Sequence, residues 1–361
     1  MRESSHLPEQ AIPSRVVIGV TGHRQLDTQP WLVAQIRSAI ERVRQMVPSL
    51  PSTPLALTIL SPLAEGADRL VVREVLKFPR AMLEVVLPLD KDDYMQDFAD
   101  SKSKDEFEEL LSQARSVKVL LAKGDRTEAY EQVGRYAVDQ CDVLIALWNG
   151  KPAAGRGGTE EIVQYARDTT CPLIWVHTEI PGQVTVELGR GLSPRPFQDL
   201  DQYNSEQVNV TGFKKQLKEL RQFFLSVAKR AGLPSDKLQA TMEYVLGHYV
   251  RADLLALSYQ HLYYRTESLV YSLAVAAVII ASFQNIFVPD RPVILISEIL
   301  LLLAVLAIVW VGRRQRWHSK WLDYRFLAER FRSALFMALA NIDVATLRPP
   351  RHLSLAYSTK D

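Results

Sequence analysis

The sequence predicts an α/β domain with a doubly wound parallel sheet, followed by an all-α region that contains two transmembrane helices. Short apolar runs alternate with helical stretches between residues 15 and 180, as in repeated βαβ units. Farther along, residues 269–288 and 293–312 form two runs of 20 residues with one charged side chain between them. At ~1.5 Å per residue, each run makes a helix of ~30 Å, which matches the hydrocarbon core of a bilayer.

The apolar runs of the first region are continuous rather than alternating, as expected for strands buried on both faces of a parallel sheet. Strands are predicted at residues 16–20, 57–60, 83–87, 117–121, 143–148 and 173–177. Helices are predicted between them at residues 31–46, 67–77, 107–113, 130–139 and 159–168. This order is typical of a Rossmann-like domain. Glycine and proline then interrupt regular structure, so a linker is expected after residue 180.

Two heptad patterns flank the apolar runs and predict long helices. Their apolar positions, spaced alternately four and three apart, are Leu238, Met242, Val245, Tyr249, Ala252, Ala256, Tyr259 and Tyr263, then Trp317, Trp321, Tyr324, Ala328, Phe331, Leu335, Ala338 and Ile342. The simplest packing is an antiparallel pair that extends the membrane hairpin into the cytoplasm. Packing between subunits through the same positions is the alternative.

Charge and composition narrow the class of protein. The 43 basic and 41 acidic residues nearly balance, which argues against nucleic acid or anionic lipid as the main partner. The two cysteines fit no CxxC pattern and are expected to be free thiols in a reducing compartment. The polar N-terminal segment does not resemble a signal peptide, so the α/β domain is expected to stay in the cytoplasm.

The residues that flank the two apolar runs predict the membrane topology. Arg265 precedes the first run, and Arg313, Arg314, Arg316 and Lys320 follow the second, whereas the turn between them has only Arg291 beside Asp290. By the positive-inside rule, both termini lie in the cytoplasm and the protein spans the inner membrane twice.

Three loops that follow predicted strands combine glycine with polar side chains. Such turns let a backbone approach a phosphate, which the N-terminus of the next helix attracts. Arg24 and Arg69 would neutralise phosphate charge, and Glu65 or Asp68 would contact a sugar hydroxyl. All three loops should lie at one edge of the sheet. The predicted ligand-binding residues are Gly22, His23, Arg24, Ser61, Glu65, Gly66, Asp68, Arg69, Gly157, Gly158, Thr159 and Glu160.

The loops GVTGHR, SPLAEGADRLV and GRGGTEEIV, together with DVLIALWNG, resemble the SLOG superfamily over residues 15–180. That superfamily includes the LOG cytokinin-activating enzymes and relatives of the DNA-processing protein DprA. The segment WLDYRFLAERFR after the second apolar run is similar to the SLATT type of two-transmembrane effector. The two resemblances together imply a bacterial antiphage or conflict protein, in which a nucleotide-derived signal activates a membrane effector.

One departure from the family pattern bears on catalysis. The LOG enzymes have a PGGxGTxxE loop whose final glutamate helps to cleave the glycosidic bond. When Gly158 and Thr159 are aligned with that motif, Ile162 occupies the glutamate position. No catalytic residue is therefore assigned, and binding is favoured over catalysis. The alternatives are a membrane-anchored nucleotide hydrolase, with Glu160 or Glu161 as a substitute, and a structural scaffold with a vestigial nucleotide fold.

Polar residues inside the apolar runs suggest that the hairpin does more than anchor the protein. Glu298 lies in the second run, and Gln284 and Asn285 lie late in the first. They are predicted pore or membrane-function residues, although Glu298 could instead lie near the outer headgroups. Two helices per chain cannot enclose a conducting path, so a homo-oligomer is expected. No metal and no cofactor are expected, because Asp90, Asp92 and Asp93 fit a solvated loop or a ribose-binding edge and the histidines lack metal-ligand spacing.

The sequence therefore predicts a membrane-bound sensor-effector whose ligand is a nucleotide or nucleotide derivative. The expected partners are that small molecule, the lipid bilayer and further copies of the chain, but not nucleic acid. The expected segments are an N-terminal tail (1–14), the nucleotide-binding domain (15–180), a linker (181–212), a helical stalk (213–268), the two-helix hairpin (269–312), a cytoplasmic helix (313–345) and a C-terminal tail (346–361).

Overall fold

The structure, a computed structural model, describes residues 11–120, 125–152, 157–230, 235–287 and 292–340. Within these ranges the side chains of residues 235–241, 243, 285, 292–295 and 339 are not described. The described chain forms two compact units, one of residues 11–204 and one that begins at residue 205.

The first unit is a seven-stranded, mostly parallel sheet with helices around it. Its strands are β1 (Ser14–Gly22), β2 (Leu55–Ser61), β3 (Met82–Leu87), β4 (Ala114–Val119), β5 (Val143–Trp148), β6 (Leu173–His177) and β7 (Val184–Glu187). Its helices are α1 (Pro30–Met46), α2 (Ala67–Val75), α3 (Lys91–Tyr94), α4 (Ser101–Ser112), α5 (Arg126–Gln140), α6 (Thr159–Asp168) and α7 (Pro194–Ser205).

The strand order is β4-β3-β2-β1-β5-β6-β7, with β7 antiparallel to β6 and the other pairs parallel. Ile18 of β1 lies opposite Ile59 of β2 on one side and Val143 of β5 on the other. All three side chains are fully buried. This explains why the central strands read as continuous apolar runs, since both faces of the sheet are covered.

The predicted strands are confirmed with small shifts at their ends, although residue 121 of the predicted fourth strand lies outside the described residues. The expected linker is wrong for most of its length, because β7 and α7 are folded there as part of the first unit. Its glycines and prolines are compatible with a short edge strand and with a helix that starts at Pro194, since proline lacks only an N–H that a first helical turn leaves unpaired.

The second unit is all-helical: α8 (Val210–Arg230), α9 (Ser235–Phe287), α10 (Pro292–Arg314) and α11 (Trp317–Leu339). The 53 residues of α9 give a length of ~80 Å. Helices α9 and α11 pack as the predicted antiparallel pair: the Tyr263 ring stacks on Trp321 with centroids 5.7 Å apart, and Tyr259 meets Tyr324 at 5.6 Å. Leu246 and Leu335 join one apolar cluster with Phe224 of α8.

Two helical segments are long and apolar enough to cross a membrane by length and composition, one within 244–284 and one within 296–338. Their most apolar stretches leave large side chains uncovered in the single chain. Examples are Val278 at 66% exposure and Leu306 at 64%. A core helix of a soluble protein would bury such residues, so their exposure favours an apolar environment around these faces.

Candidate functional site

The ends of β1 and β5 mark the point where the sheet changes its winding direction. After β1 the chain continues toward β2 on one side, and after β5 it continues toward β6 on the other. Open α/β sheets bind ligands beyond the carboxyl ends of their strands at such a point. A cleft of about 610 Å³ opens there, a volume typical of small-molecule sites. It is lined by the loops after β1, β2 and β5 and by one face of α5.

Backbone contacts hold the first two loops together. The N–H of His23 donates to the Leu147 carbonyl of β5 at 3.2 Å, and the N–H of Ala67 donates to the His23 carbonyl at 3.0 Å. Gly22 lies between these partners, where a Cβ atom would come within 2.4 Å of the Ala67 Cβ and 2.7 Å of the Leu147 carbonyl oxygen. Glycine at residue 22 therefore permits the close approach of β1, β5 and the start of α2.

The third loop opens α6 without a side-chain cap. Gly157 adopts a left-handed φ of +78°, and Gly158 is the N-cap residue, with no capping side chain among the described residues. By contrast, Asp100 and Asp125 cap α4 and α5. The first N–H groups of a helix have no intrahelical partner, and the helix dipole makes that end positive. The start of α6 can therefore receive an anionic group, although the Glu161 carboxylate already accepts a hydrogen bond from Gly157 at 2.6 Å.

Basic side chains lie along the cleft. Arg24 is exposed and its guanidinium lies over the Tyr130 ring, 4.7 Å from the centroid. Lys151 pairs with Glu179 at 3.0 Å near the rim. The Nε2 atom of His23 accepts a hydrogen bond from the Asn149 N–H at 3.2 Å. Arg24 and Lys151 are the arginine and lysine side chains of the cleft lining among the described residues.

Asp68 is a buried carboxyl group at the β2 side of the cleft, with 4% of its surface exposed. Its Oδ2 atom accepts hydrogen bonds from the Ser61 hydroxyl at 3.2 Å and the Ala64 N–H at 3.3 Å. Burial raises the pKa of Asp68 to about 7, against the opposing effects of these two hydrogen bonds and of the Arg24 and Arg69 charges. The group therefore changes its charge near neutral pH.

Tyr94 is a cleft residue that the sequence analysis did not assign. Its ring is 1% exposed and packs edge-on against Phe98 and Phe107, with centroids 5.1 and 5.8 Å away. Its hydroxyl has no hydrogen-bond partner among the described residues. Burial, reinforced by the nearby Asp68 charge, raises the pKa of Tyr94, so the phenol stays a neutral donor. Tyr94 follows the end of β3, and polar residues that follow strand ends are what predicted the loops after β1 and β2 as binding loops.

Four of the predicted binding residues lie outside the cleft lining: Ser61, Glu65, Gly66 and Arg69. Ser61 is fully buried behind Asp68. Glu65 accepts hydrogen bonds from the Ala99 N–H at 3.0 Å and from the Ser103 hydroxyl. These residues organise the loop after β2, and their contact with a ligand stays a prediction.

The expectation that Arg69 neutralises a ligand phosphate stays a prediction: its Nη2 atom has no hydrogen-bond partner among the described residues, while its other donors are engaged within the protein. Arg69 is 3% exposed and donates to the Leu63 carbonyl at 3.1 Å and to Ser103 and Glu106 of α4 at 2.9 and 3.1 Å. Its guanidinium also lies 4.6 Å from the Phe98 ring centroid. These contacts fix α2 against α4. Gly66 and Arg69 line a neighbouring groove of about 550 Å³ that also reaches Arg24.

Ile162, which aligns with the glutamate of the LOG motif, lines the cleft. It is 3% exposed and packs against Gly134 of α5, where a Cβ atom would come within 2.5 Å of the isoleucine Cδ1. The position thus presents a methyl group where the LOG pattern has a carboxylate. Glu160 also lines the cleft, so an acidic group remains near this wall.

The acidic residues after β3 are engaged in ion pairs. Asp93 pairs with Arg126 at 3.0 Å, and Asp97 pairs with the same guanidinium at 3.0 Å and accepts from the Tyr130 hydroxyl. Within the described residues, no group of three or more His, Cys, Asp or Glu side chains is placed to hold a metal ion. The two cysteines, Cys141 and Cys171, are buried free thiols.

The predicted membrane-function residues lie in the two apolar helices. Gln284 is near the end of α9 and Glu298 is in the second turn of α10, and both are partly exposed. The side chain of Asn285, like the turn at residues 288–291, lies outside the part of the chain that is described. The geometry of a polar ring formed by these residues therefore stays a prediction.

Comparison of the chain with models of known protein families gave no match, and no curated protein sequence matched it.

Proposed function

We propose that this protein is a membrane-bound sensor-effector of bacterial antiphage defence. A Rossmann-like, SLOG-like domain binds a nucleotide-derived ligand, and a SLATT-like two-helix hairpin then perturbs or permeabilises the inner membrane. The observation that supports this proposal most is the convergence of three glycine-containing loops on one cleft at the winding switch of the sheet. The resemblance of the loop motifs to the SLOG superfamily supports the ligand class.

The features of the cleft suit a phosphorylated, partly apolar ligand. The uncapped start of α6 and the Arg24 guanidinium supply attraction for phosphate. Val20, Val133, Ile162 and Trp148 line the cleft with apolar surface that a base can contact. The nearly balanced net charge of +2 fits a small ligand better than a nucleic acid.

The hairpin is the proposed output element. Its apolar side chains are exposed in the single chain, and we propose that lipid and neighbouring subunits cover them. A homo-oligomer would supply the additional helices that a conducting path needs. Glu298, Gln284 and Asn285 would then give this path its polar character.

The experiment that tests the proposal uses the full-length protein reconstituted in dye-loaded liposomes. A thermal-shift screen against linear and cyclic nucleotides and ADP-ribose derivatives selects the ligand, and that ligand is then added to the liposomes. Dye release that requires the ligand supports the proposal. Arg24→Gln should raise the concentration needed about tenfold, whereas Arg44→Gln, a surface residue paired with Glu41, should not. Ligand binding without release would contradict the effector role.

A second candidate function is a membrane-anchored nucleotide hydrolase, and the cleft carboxyl group Asp68 favours it. A carboxyl group whose pKa is about 7 can exchange a proton at neutral pH, as a general acid or base must. Release of free base from nucleoside monophosphates or NAD, lost in Asp68→Asn, would support this function. Retention of activity in that variant and loss in Glu161→Ala would instead point to the α6 carboxylates.

A further inference from the structure

The loop after β3 brings a donor and an acceptor to the same end of the cleft. Tyr94 and Asp68 both line it, and both are at least nine-tenths buried. The Tyr94 hydroxyl has no hydrogen-bond partner among the described residues, which is unusual because buried hydroxyl groups are nearly always paired. A buried donor of this kind costs free energy until a ligand satisfies it.

We propose that Tyr94 and Asp68 form a subsite for a neutral hydroxyl group of the ligand, such as a sugar alcohol. This inference rests on the proposed nucleotide-binding function and adds the part of the ligand that is recognised. A hydroxyl group is both donor and acceptor, so one group accepts from the Tyr94 phenol and donates to the Asp68 carboxylate.

A phosphate is a poorer occupant of this subsite. It has acceptors and negative charge, which the Asp68 carboxyl group repels in a region of low dielectric constant whenever it is ionised. Arg24 also lines the cleft, but it is exposed and its guanidinium lies over the Tyr130 ring. The uncapped start of α6 is the better phosphate site, so the two polar groups of the ligand are separated along the cleft.

Hydrogen bonds around Asp68 hold the acceptor in place. Its Oδ2 atom is occupied by the Ser61 hydroxyl and the Ala64 N–H, at 3.2 and 3.3 Å. The edge-on contacts of Tyr94 with Phe98 and Phe107 restrict the phenol ring in the same way. A subsite with both partners fixed discriminates strongly against an analogue that lacks the hydroxyl group, because the buried groups are then left unpaired.

The test compares hydroxylated and deoxygenated probes on the full-length protein in detergent. Calorimetry measures the affinities of AMP, 2′-deoxy-AMP, 3′-deoxy-AMP and pyrophosphate for the wild type, Tyr94→Phe and Tyr165→Phe. The control residue Tyr165 lies on α6 and bonds Asp139 at 2.9 Å. We expect AMP to bind at least tenfold more tightly than one deoxy analogue in the wild type and in Tyr165→Phe, and this difference to vanish in Tyr94→Phe.

A second measurement separates recognition from a structural role. Tyr94→Phe removes a hydroxyl group that gains nothing in the unliganded protein, so its melting temperature should stay the same or rise while its AMP affinity falls. Equal affinities for AMP and both deoxy analogues, with pyrophosphate still bound, would overturn the hydroxyl subsite alone. Failure of every probe, pyrophosphate included, would overturn the nucleotide-binding proposal and this subsite with it.

Discussion

At the residue scale, the buried carboxyl group of Asp68 makes the stability of the protein depend on pH. In the unfolded chain its pKa returns to the ordinary value of 3.8, whereas in the fold it is about 7. Between these two values the folded state holds a proton that the unfolded state has released. The contribution of Asp68 to stability is therefore fully present below pH 3.8, falls as the pH rises, and is lost above about pH 7.

The substitution Asp68→Asn isolates this effect, because an amide oxygen can still accept from Ser61 and Ala64 without any charge. We expect the melting temperature of the variant, relative to the wild type, to increase steadily from pH 4 to pH 7 and then to level off. Thermal unfolding across this range measures the difference. The charged groups that act on the carboxyl are Arg24 and Arg69, and Tyr94 remains neutral throughout. A difference that does not vary with pH would contradict the raised pKa.

Gly22 gives a second prediction at this scale. A Cβ atom here would meet a backbone oxygen and another Cβ, neither of which is the far end of a flexible side chain. We therefore expect Gly22→Ala to lower the stability by about 1–3 kcal/mol, the usual cost of overpacking, and to weaken nucleotide binding. Gly212→Ala is the matched control, since the nearest atom to its Cβ is 3.7 Å away and alanine suits a helix. Denaturant unfolding of both variants measures the free energy of unfolding, which should fall in Gly22→Ala and not in Gly212→Ala.

At the element scale, patterns with a single physical cause were predictable from the sequence. The strand Val143–Trp148 and the helix Thr159–Asp168 were predicted to the residue, because the first apolar run has the length of a strand and a glycine-containing turn marks where the helix begins. The strand Val184–Glu187 was missed, since it is short and its neighbours are glycine and proline. The place of Tyr94 in the cleft lining was missed for another reason: its ring looks like a core residue, and only the packing of the loops brings it to the cleft.

The segment between α7 and α8 is fastened to the base of the hairpin. The Glu206 carboxylate accepts from the Lys320 ammonium of α11 and the Tyr259 hydroxyl of α9, both at 2.7 Å. Lys320 also lies 4.9 Å from the Tyr259 ring centroid. The two charged side chains are mostly buried, at 19% and 11% exposure. Glu206 follows directly after the α/β unit in the chain, and this contact ties the start of the helical unit to α9 and α11.

We expect Glu206→Gln to destabilise the helical unit by about 1–3 kcal/mol, because it leaves the Lys320 charge poorly compensated in a desolvated place. Lys320→Met should recover most of this loss in the double variant, since it removes the charge and retains an apolar chain. Thermal unfolding of the wild type, both single variants and the double variant forms a mutant cycle. Additive effects would show that the two side chains are not coupled.

At the scale of the whole molecule, the membrane topology is the property that the sequence predicts and the fold of one chain does not test. Arg313, Arg314 and Arg316 follow the second apolar run, whereas Arg291 stands beside Asp290 in the turn. Cysteine labelling can test the resulting orientation with little background, because the native thiols Cys141 and Cys171 are 0% and 3% exposed. An impermeant maleimide therefore reports mainly on introduced cysteines.

With both termini in the cytoplasm, Asp290→Cys should react in intact bacterial spheroplasts, because the turn then faces the periplasm. Lys214→Cys, at an exposed position on α8, should react only after the membrane is permeabilised, and it serves as the matched control. The basic residues hold their side of the hairpin inside, so reversing the charge asymmetry by Arg313→Glu, Arg314→Glu and Arg316→Glu should increase labelling of Lys214→Cys in intact cells. If Lys214→Cys with Arg313, Arg314 and Arg316 retained were labelled without permeabilisation, the soluble part of the protein would lie outside the cytoplasm. A ligand made inside the cell could then not reach the cleft.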